Sequence, residues 1–171
     1  NSNFHVYYKF PNLKNVTGMF TEEDEVQITR KIHGTNARYG IVKKTSLSLF
    51  DKTRVWLQRN IPLLSLPGWE WLEYEYVYGS HNVEKGSDTQ GFYDTDVWRT
   101  IADRYDIKNS LWAHVKIWEA PELIGTGFII YGEIYGKGIQ KNYEYGLKDI
   151  KFAGFDVSIN GAYCDSIRSQ M

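Results

Sequence analysis

The chain has 171 residues, a formal net charge of −1 and 42% hydrophobic, 24% charged and 16% aromatic residues. That length suits one domain with a real core. The near-zero charge excludes a global basic field, so any nucleic-acid site has to be a local groove. Cys164 is alone, which excludes a disulfide framework or a cysteine-built metal site and favours a reducing, intracellular compartment such as the cytoplasm. No apolar run approaches the length of a membrane span. The 6 Trp, 13 Tyr and 8 Phe argue for a sheet-rich core.

Taken in order, Asn1–Met19 is aromatic and mildly basic, with Phe4, Tyr7, Tyr8 and Phe10. It reads as an extended lead-in packed on a sheet. Thr21–Asp24 is an acidic turn. Glu25 to Thr29 and Tyr39 to Val42 are apolar alternating runs, so the stretch between them reads as a strand, a turn at Gly34 and a second strand. Ser46 to Phe50 reads as another strand. Asp51 to Gly68 lacks a clean period and is broken by Pro62 and Pro67. Trp69 to Tyr78 alternates aromatic and acidic residues and reads as one long strand, ended by Gly79-Ser80-His81-Asn82. Glu84 to Asp94 has the composition of a mobile loop. Asp96 is placed to cap a helix running through Tyr105, with Val97, Ile101 and Tyr105 at helical spacing. Leu111 to Trp118 fits a helix or a strand. Phe128 to Tyr131 is a buried strand. No repeat and no linker divides the chain, which predicts a single domain over 1–171.

The chemistry centres on Arg30-Lys31-Ile32-His33-Gly34-Thr35-Asn36. A lysine at the end of a strand, beside a glycine that admits a ligand close to the backbone, has the makings of a covalent nucleophile. On residue types alone a solvated lysine in a hairpin is the better reading, because short motifs match by chance. Three further features lie far from it in sequence. Gly132-Glu133 interrupts an apolar strand with a carboxylate. Gly138-Ile139-Gln140-Lys141-Asn142 follows. Phe155 precedes Asp156 in an alternating run, where a flat apolar face could take a base and where ordinary core packing is the plain alternative.

Lys-x-His-Gly-Thr-Asn at Lys31–Asn36 resembles the first signature of the covalent nucleotidyltransferases, in the form used by the RNA ligase 2 family. Gly132-Glu133, the Gly138–Asn142 run and Phe155-Asp156-Val157 resemble that family's later signatures in the right order, from about Glu25 to Val157. The resemblance implies an α+β, ATP-grasp-like nucleotidyltransferase adenylation domain, with twisted, mainly antiparallel sheets around a nucleotide pocket and helices outside. It implies an ATP-dependent RNA ligase acting as a monomer, away from membranes, with ATP and Mg²⁺ or Mn²⁺ as cofactors and RNA 5′-phosphate and 3′-hydroxyl ends as partners. Viral or phage origin fits the same resemblance.

By resemblance, Lys31 carries AMP and Glu133 orients the ribose beside it. Ile32, His33, Gly34 and Asn36 shape the nucleotide site, and Phe155 stacks on adenine. His81 stands where the family's second signature has an Arg or similar phosphate ligand, and a polar hairpin turn explains His81 equally well. Two departures matter. Arg30 replaces a common Glu that contacts adenine, although a charge there would favour the neutral amine of Lys31. The later Glu-Gly and Lys-x-Lys signatures, which bind metal and the α-phosphate, have no counterpart after Asp156. The metal ligands are therefore unassigned, and the chain is expected to be incomplete at its C-terminus. A DNA ligase, a capping guanylyltransferase and a catalytically inactive nucleotide- or RNA-binding module stay open as alternatives.

Overall fold

The structure, a computed structural model, describes residues 1–26, 28, 30–61, 71–85, 96–117 and 121–164. Its strands are β1 (Thr35–Lys43), β2 (Tyr74–Gly79), β3 (Glu84–Lys85), β4 (Gly127–Gly136), β5 (Ile150–Ile159) and β6 (Ala162–Tyr163). Its α-helices are α1 (Leu49–Asn60), α2 (Val97–Arg104) and α3 (Ile107–Lys116). The strands form one six-stranded sheet in the order β3-β2-β1-β4-β5-β6, with every neighbouring pair antiparallel. The α+β class is as expected. Among the described residues, however, there is one sheet, rather than two with a pocket between them.

Strand alternation divides the sheet into two faces. Ala37, Tyr39 and Ile41 of β1 and Phe128 and Ile134 of β4 point to one face, where they join Val97, Trp98 and Ile101 of α2 and Ile107, Leu111 and Val115 of α3. In α3 those three residues recur every four positions, the spacing that lays one stripe on a sheet. Asp96 caps α2 by accepting from the Trp98 and Arg99 N–H groups. Two bonds then fix α2 to β1: the Tyr39 hydroxyl donates to the Trp98 carbonyl at 2.9 Å, and Trp98 Nε1 donates to the Asn36 carbonyl at 3.0 Å.

The opposite face is covered by the N-terminal segment. Phe4 packs with Val42, Val77, Ile129 and Tyr131, flanked by Tyr7 and Tyr163. Arg38, only 4% exposed, ties this segment down: Nη1 donates to the Phe4 carbonyl at 2.5 Å, Nε donates to the Ser80 carbonyl at 3.0 Å, and the guanidinium lies 4.2 Å from the centre of the Phe4 ring. The extended lead-in is thus found as expected, up to about Phe10.

Several expectations are corrected. No strand precedes Gly34 among the described residues: Glu25, Val26, Ile28 and Arg30–His33 are irregular. Val26 is 58% and Ile28 93% exposed, so this stretch has no face to bury and no ladder to join; Gln27 and Thr29 lie outside the described residues. Lys31 therefore sits in a loop entering β1, not at the tip of a hairpin. Ser46–Phe50 is not a strand. Ser48 is the N-cap of α1, accepting from the Asp51 N–H, and α1 covers Asp51–Asn60 of the Asp51–Gly68 stretch read as aperiodic, residues 62–68 lying outside the described residues. Only Val55 of α1 is buried, which is why no apolar period showed. The strand predicted from Trp69 begins at Tyr74, with Trp71 in a turn before it; Trp69, Pro62 and Pro67 lie outside the described residues. Glu84 and Lys85 form a short strand, and the rest of the predicted loop to Asp94 also lies outside them. The segment at Leu111 resolves as helix α3.

Candidate active site

Lys31 and Arg30 are exposed, and Ile32 is half-buried, in the loop that leads into β1. The loop meets β4 at Gly34, whose N–H donates to Glu133 Oε1 at 3.0 Å. Glycine is required here by approach: a Cβ on Gly34 would collide with the Ile134 carbonyl oxygen and come within 2.9 Å of Glu133 Cγ. The β1–β4 register places Asn36 opposite Glu133 and Thr35 opposite Ile134, so Asn36 and Glu133 share the face covered farther along by Phe4. One hydrogen bond and one ladder thus bring the Lys31 loop to the glutamate that follows it by about a hundred residues.

Glu133 is half-buried. Burial pushes its carboxyl above the ordinary carboxylate range, opposed by the Gly34 N–H and then by the positive charges of Lys31 and His33. Asn36 has its Oδ1 shut off from solvent with no hydrogen-bond partner among the described residues. A buried acceptor left unpaired costs about 1–3 kcal/mol, and such groups are tolerated where a ligand completes them.

A second set of contacts comes from the connection between β4 and β5. Gln140 Nε2 donates to the Gly34 carbonyl at 2.9 Å. The His33 N–H donates to the Tyr145 hydroxyl at 2.7 Å, and that hydroxyl donates to the His33 carbonyl at 3.4 Å. The His33 ring stacks on Tyr143 with centroids 4.4 Å apart. Gln140 belongs to a run singled out in the sequence. Tyr143 and Tyr145 were not singled out, because aromatics in a polar connection carry no spacing signal. Arg38 was missed as well, since a charged residue inside a strand reads as solvent-facing until its partners are known.

Phe155 lies where β5 slips register against β4, between the pairs Tyr131–Asp156 and Gly132–Gly154. It is the extra residue of a bulge, which re-aims a side chain. It is 48% exposed, so it is not core. Its ring meets Tyr7 edge-on at 5.0 Å, and Tyr7 also donates to Asp156 at 2.8 Å. Tyr7 packs on Tyr131 too, so Phe155 reaches the same face as Glu133, one strand over. His81 is in the turn after β2, at the end of the sheet where β1 begins, and the structure brings it into no contact with the Lys31 loop among the described residues.

Among the described residues no group of three or more His, Cys, Asp or Glu could hold a metal. None of the described helices is long and apolar enough to cross a membrane. Compared with known proteins, the chain matches the family model described as RNA ligase over residues 24–166. No curated protein matches it.

Proposed function

The chain belongs to the RNA ligase family, and on that premise we propose that it is an ATP-dependent ligase of the RNA ligase 2 type that works through a lysyl-AMP intermediate on Lys31. The observation that carries this reading is the Gly34 N–H to Glu133 bond, which joins the lysine loop to a half-buried carboxylate of β4. The neutral Lys31 amine attacks the α-phosphorus of ATP. The N–P bond forms, the bond from phosphorus to the bridging oxygen breaks, and pyrophosphate leaves. An RNA 5′-phosphate oxygen then displaces the lysine from the same phosphorus, and a 3′-hydroxyl finally attacks the RNA phosphate and expels AMP.

Within this reading Glu133 accepts from the ribose while holding Gly34. Asn36 Oδ1 accepts a donor from the nucleotide. Arg30 and His33 lie toward the phosphates, and Phe155 stacks on adenine once Tyr7 yields. His81 lies beyond the described contacts of the loop and serves the RNA or triphosphate end. Catalysis in such phosphoryl transfers is mostly positioning and charge. The described residues offer no protein-built cage for Mg²⁺ or Mn²⁺. A magnesium ion that arrived with the triphosphate would bring waters and phosphate oxygens as its own ligands and would neutralise phosphate charge.

The test is incubation of the full-length protein with α-labelled ATP or GTP, followed by peptide mass spectrometry. AMP on Lys31 is expected, and Lys31→Ala should abolish it without loss of thermal stability, because the side chain is exposed. Label from GTP alone would make the enzyme a capping guanylyltransferase. Label on Lys43 or Lys44 would overturn the nucleophile assignment. No label would leave a nucleotide- or RNA-binding module.

A further inference from the structure

Among the described residues, the loop that carries Lys31 joins no ladder before Thr35, since Glu25, Val26, Ile28 and Arg30–His33 are irregular. Something outside the loop has to fix where the amine stands. We propose that the β4–β5 connection is a latch for the nucleophile loop, with Tyr145, Gln140 and Tyr143 as positioning residues; this deepens the lysyl-AMP reading and rests on it for its catalytic consequence.

Three observations point the same way. First, one hydroxyl serves both backbone groups of His33, accepting from its N–H at 2.7 Å and donating to its carbonyl at 3.4 Å. With Gln140 on the Gly34 carbonyl and Glu133 on the Gly34 N–H, four backbone groups on two consecutive residues are held by side chains from β4 and the connection after it. Second, Tyr145 has φ 56°, a left-handed conformation that costs a non-glycine residue roughly 1–2 kcal/mol. A bulky residue keeps such a conformation when its surroundings demand it, and here it carries the hydroxyl to His33. Third, the latch is anchored. The Tyr145 ring meets Tyr135 of β4 edge-on at 5.6 Å, two residues beyond Glu133 on the same face. Ile139 of the connection is buried. The His33 ring closes the assembly by stacking on Tyr143.

The experiment uses the full-length protein and four readouts: labelling rate, ATP affinity, thermal stability and amide hydrogen exchange. Tyr145→Phe keeps the ring and removes the hydroxyl. The single-turnover rate of AMP transfer to Lys31 should fall by about tenfold, because misplacing a reacting group by about 1 Å costs up to 10²-fold. The Kd for ATP and the Tm should stay at their wild-type values, which a merely structural role would not predict. Tyr143→Ala should lose rate in the same way, and Tyr143→Phe should restore it. Amide hydrogen exchange at His33 should accelerate in Tyr145→Phe, and this readout needs no catalysis. If the wild type takes no label on Lys31, the lysyl-AMP reading fails, and the latch is judged by exchange alone. Unchanged exchange at His33 in Tyr145→Phe, or an unchanged labelling rate in that variant when the wild type does label, overturns the latch.

Discussion

Gly34→Ala is the sharpest probe of the contact between the lysine loop and β4. The added methyl would collide with the Ile134 carbonyl oxygen and lie 2.9 Å from both Ile134 C and Glu133 Cγ. Ile134 pairs with Thr35 in the β1–β4 ladder and with Phe152 in the β4–β5 ladder, so β4 is held from both sides and cannot give way. The loop must move instead, by about 1 Å to reach ordinary van der Waals separation. That movement stretches the Gly34 bond to Glu133 and the Gln140 bond to the Gly34 carbonyl. Overpacking of this kind typically costs about 1–3 kcal/mol. A displacement of about 1 Å at a reacting group costs on the order of 10²-fold in rate. The variant should therefore stay folded, melt a few degrees lower and transfer AMP to Lys31 about a hundredfold more slowly in a single-turnover assay with labelled ATP. Labelling within threefold of the wild-type rate would refute the reasoning, because it would mean that the loop reaches its working position without touching β4.

Glu133→Gln should raise stability at neutral pH while lowering activity. Burial holds the Glu133 pKa above its unfolded value, so its contribution is fully present in acid, where it is protonated, and is lost as pH rises through the raised value. The Tm advantage of the variant should thus grow between about pH 4 and pH 7, and a shrinking advantage over that range would contradict the burial argument. Phe155→Ala should weaken ATP binding by about tenfold, whereas Phe155→Trp should not, given about 1–3 kcal/mol for a base stacked on an aromatic ring; equal losses in an equilibrium binding assay would remove the stacking role. Arg38→Met should destabilise the fold by about 1.5–3 kcal/mol in urea unfolding, since charged hydrogen bonds to the Phe4 and Ser80 carbonyls are lost, and a variant as stable as the wild type would show that the N-terminal segment holds without it.

The parts of the fold that were legible in the sequence are those where local chemistry and tertiary packing agree. Asp96 announces α2, and the apolar run at Phe128 announces β4, because capping and burial are both written in neighbouring residues. The failures share a cause. In α1, one buried residue leaves no stripe to read, and the signal that was present, Ser48 three residues before Asp51, is an N-cap and not a period. Glu25–Thr29 has the alternation of a strand, yet alternation makes a strand only where another strand offers hydrogen bonds and one face has something to cover. Val26 and Ile28 have neither.

The site divides along the same line. Lys31, Gly34, Asn36 and Glu133 are candidates named from motifs that resemble a family's, and the register that sets Asn36 opposite Glu133 shows how two such motifs, about a hundred residues apart, come to lie side by side at the start of β1 and near the end of β4. Tyr145 and Tyr143 could not be named that way. Their role comes from a connection that folds back across the end of its own strand, and no local period or spacing encodes such a return. The same geometry gives the division of labour its physical sense. The strands fix the carboxylate, which lies between Asn36 of β1 and Ala153 of β5, and the entry to β1, which pairs with β4. Lys31 stands outside the ladder, which in the proposed reaction gives an attacking amine room to reach phosphorus and later to release it. A nucleophile built into the sheet would be well placed and unable to move; one left on a free loop would move and be poorly placed. Side-chain bonds to the backbone of His33 and Gly34, two and three residues downstream of Lys31, leave the Lys31 side chain free while fixing the ground on which it stands.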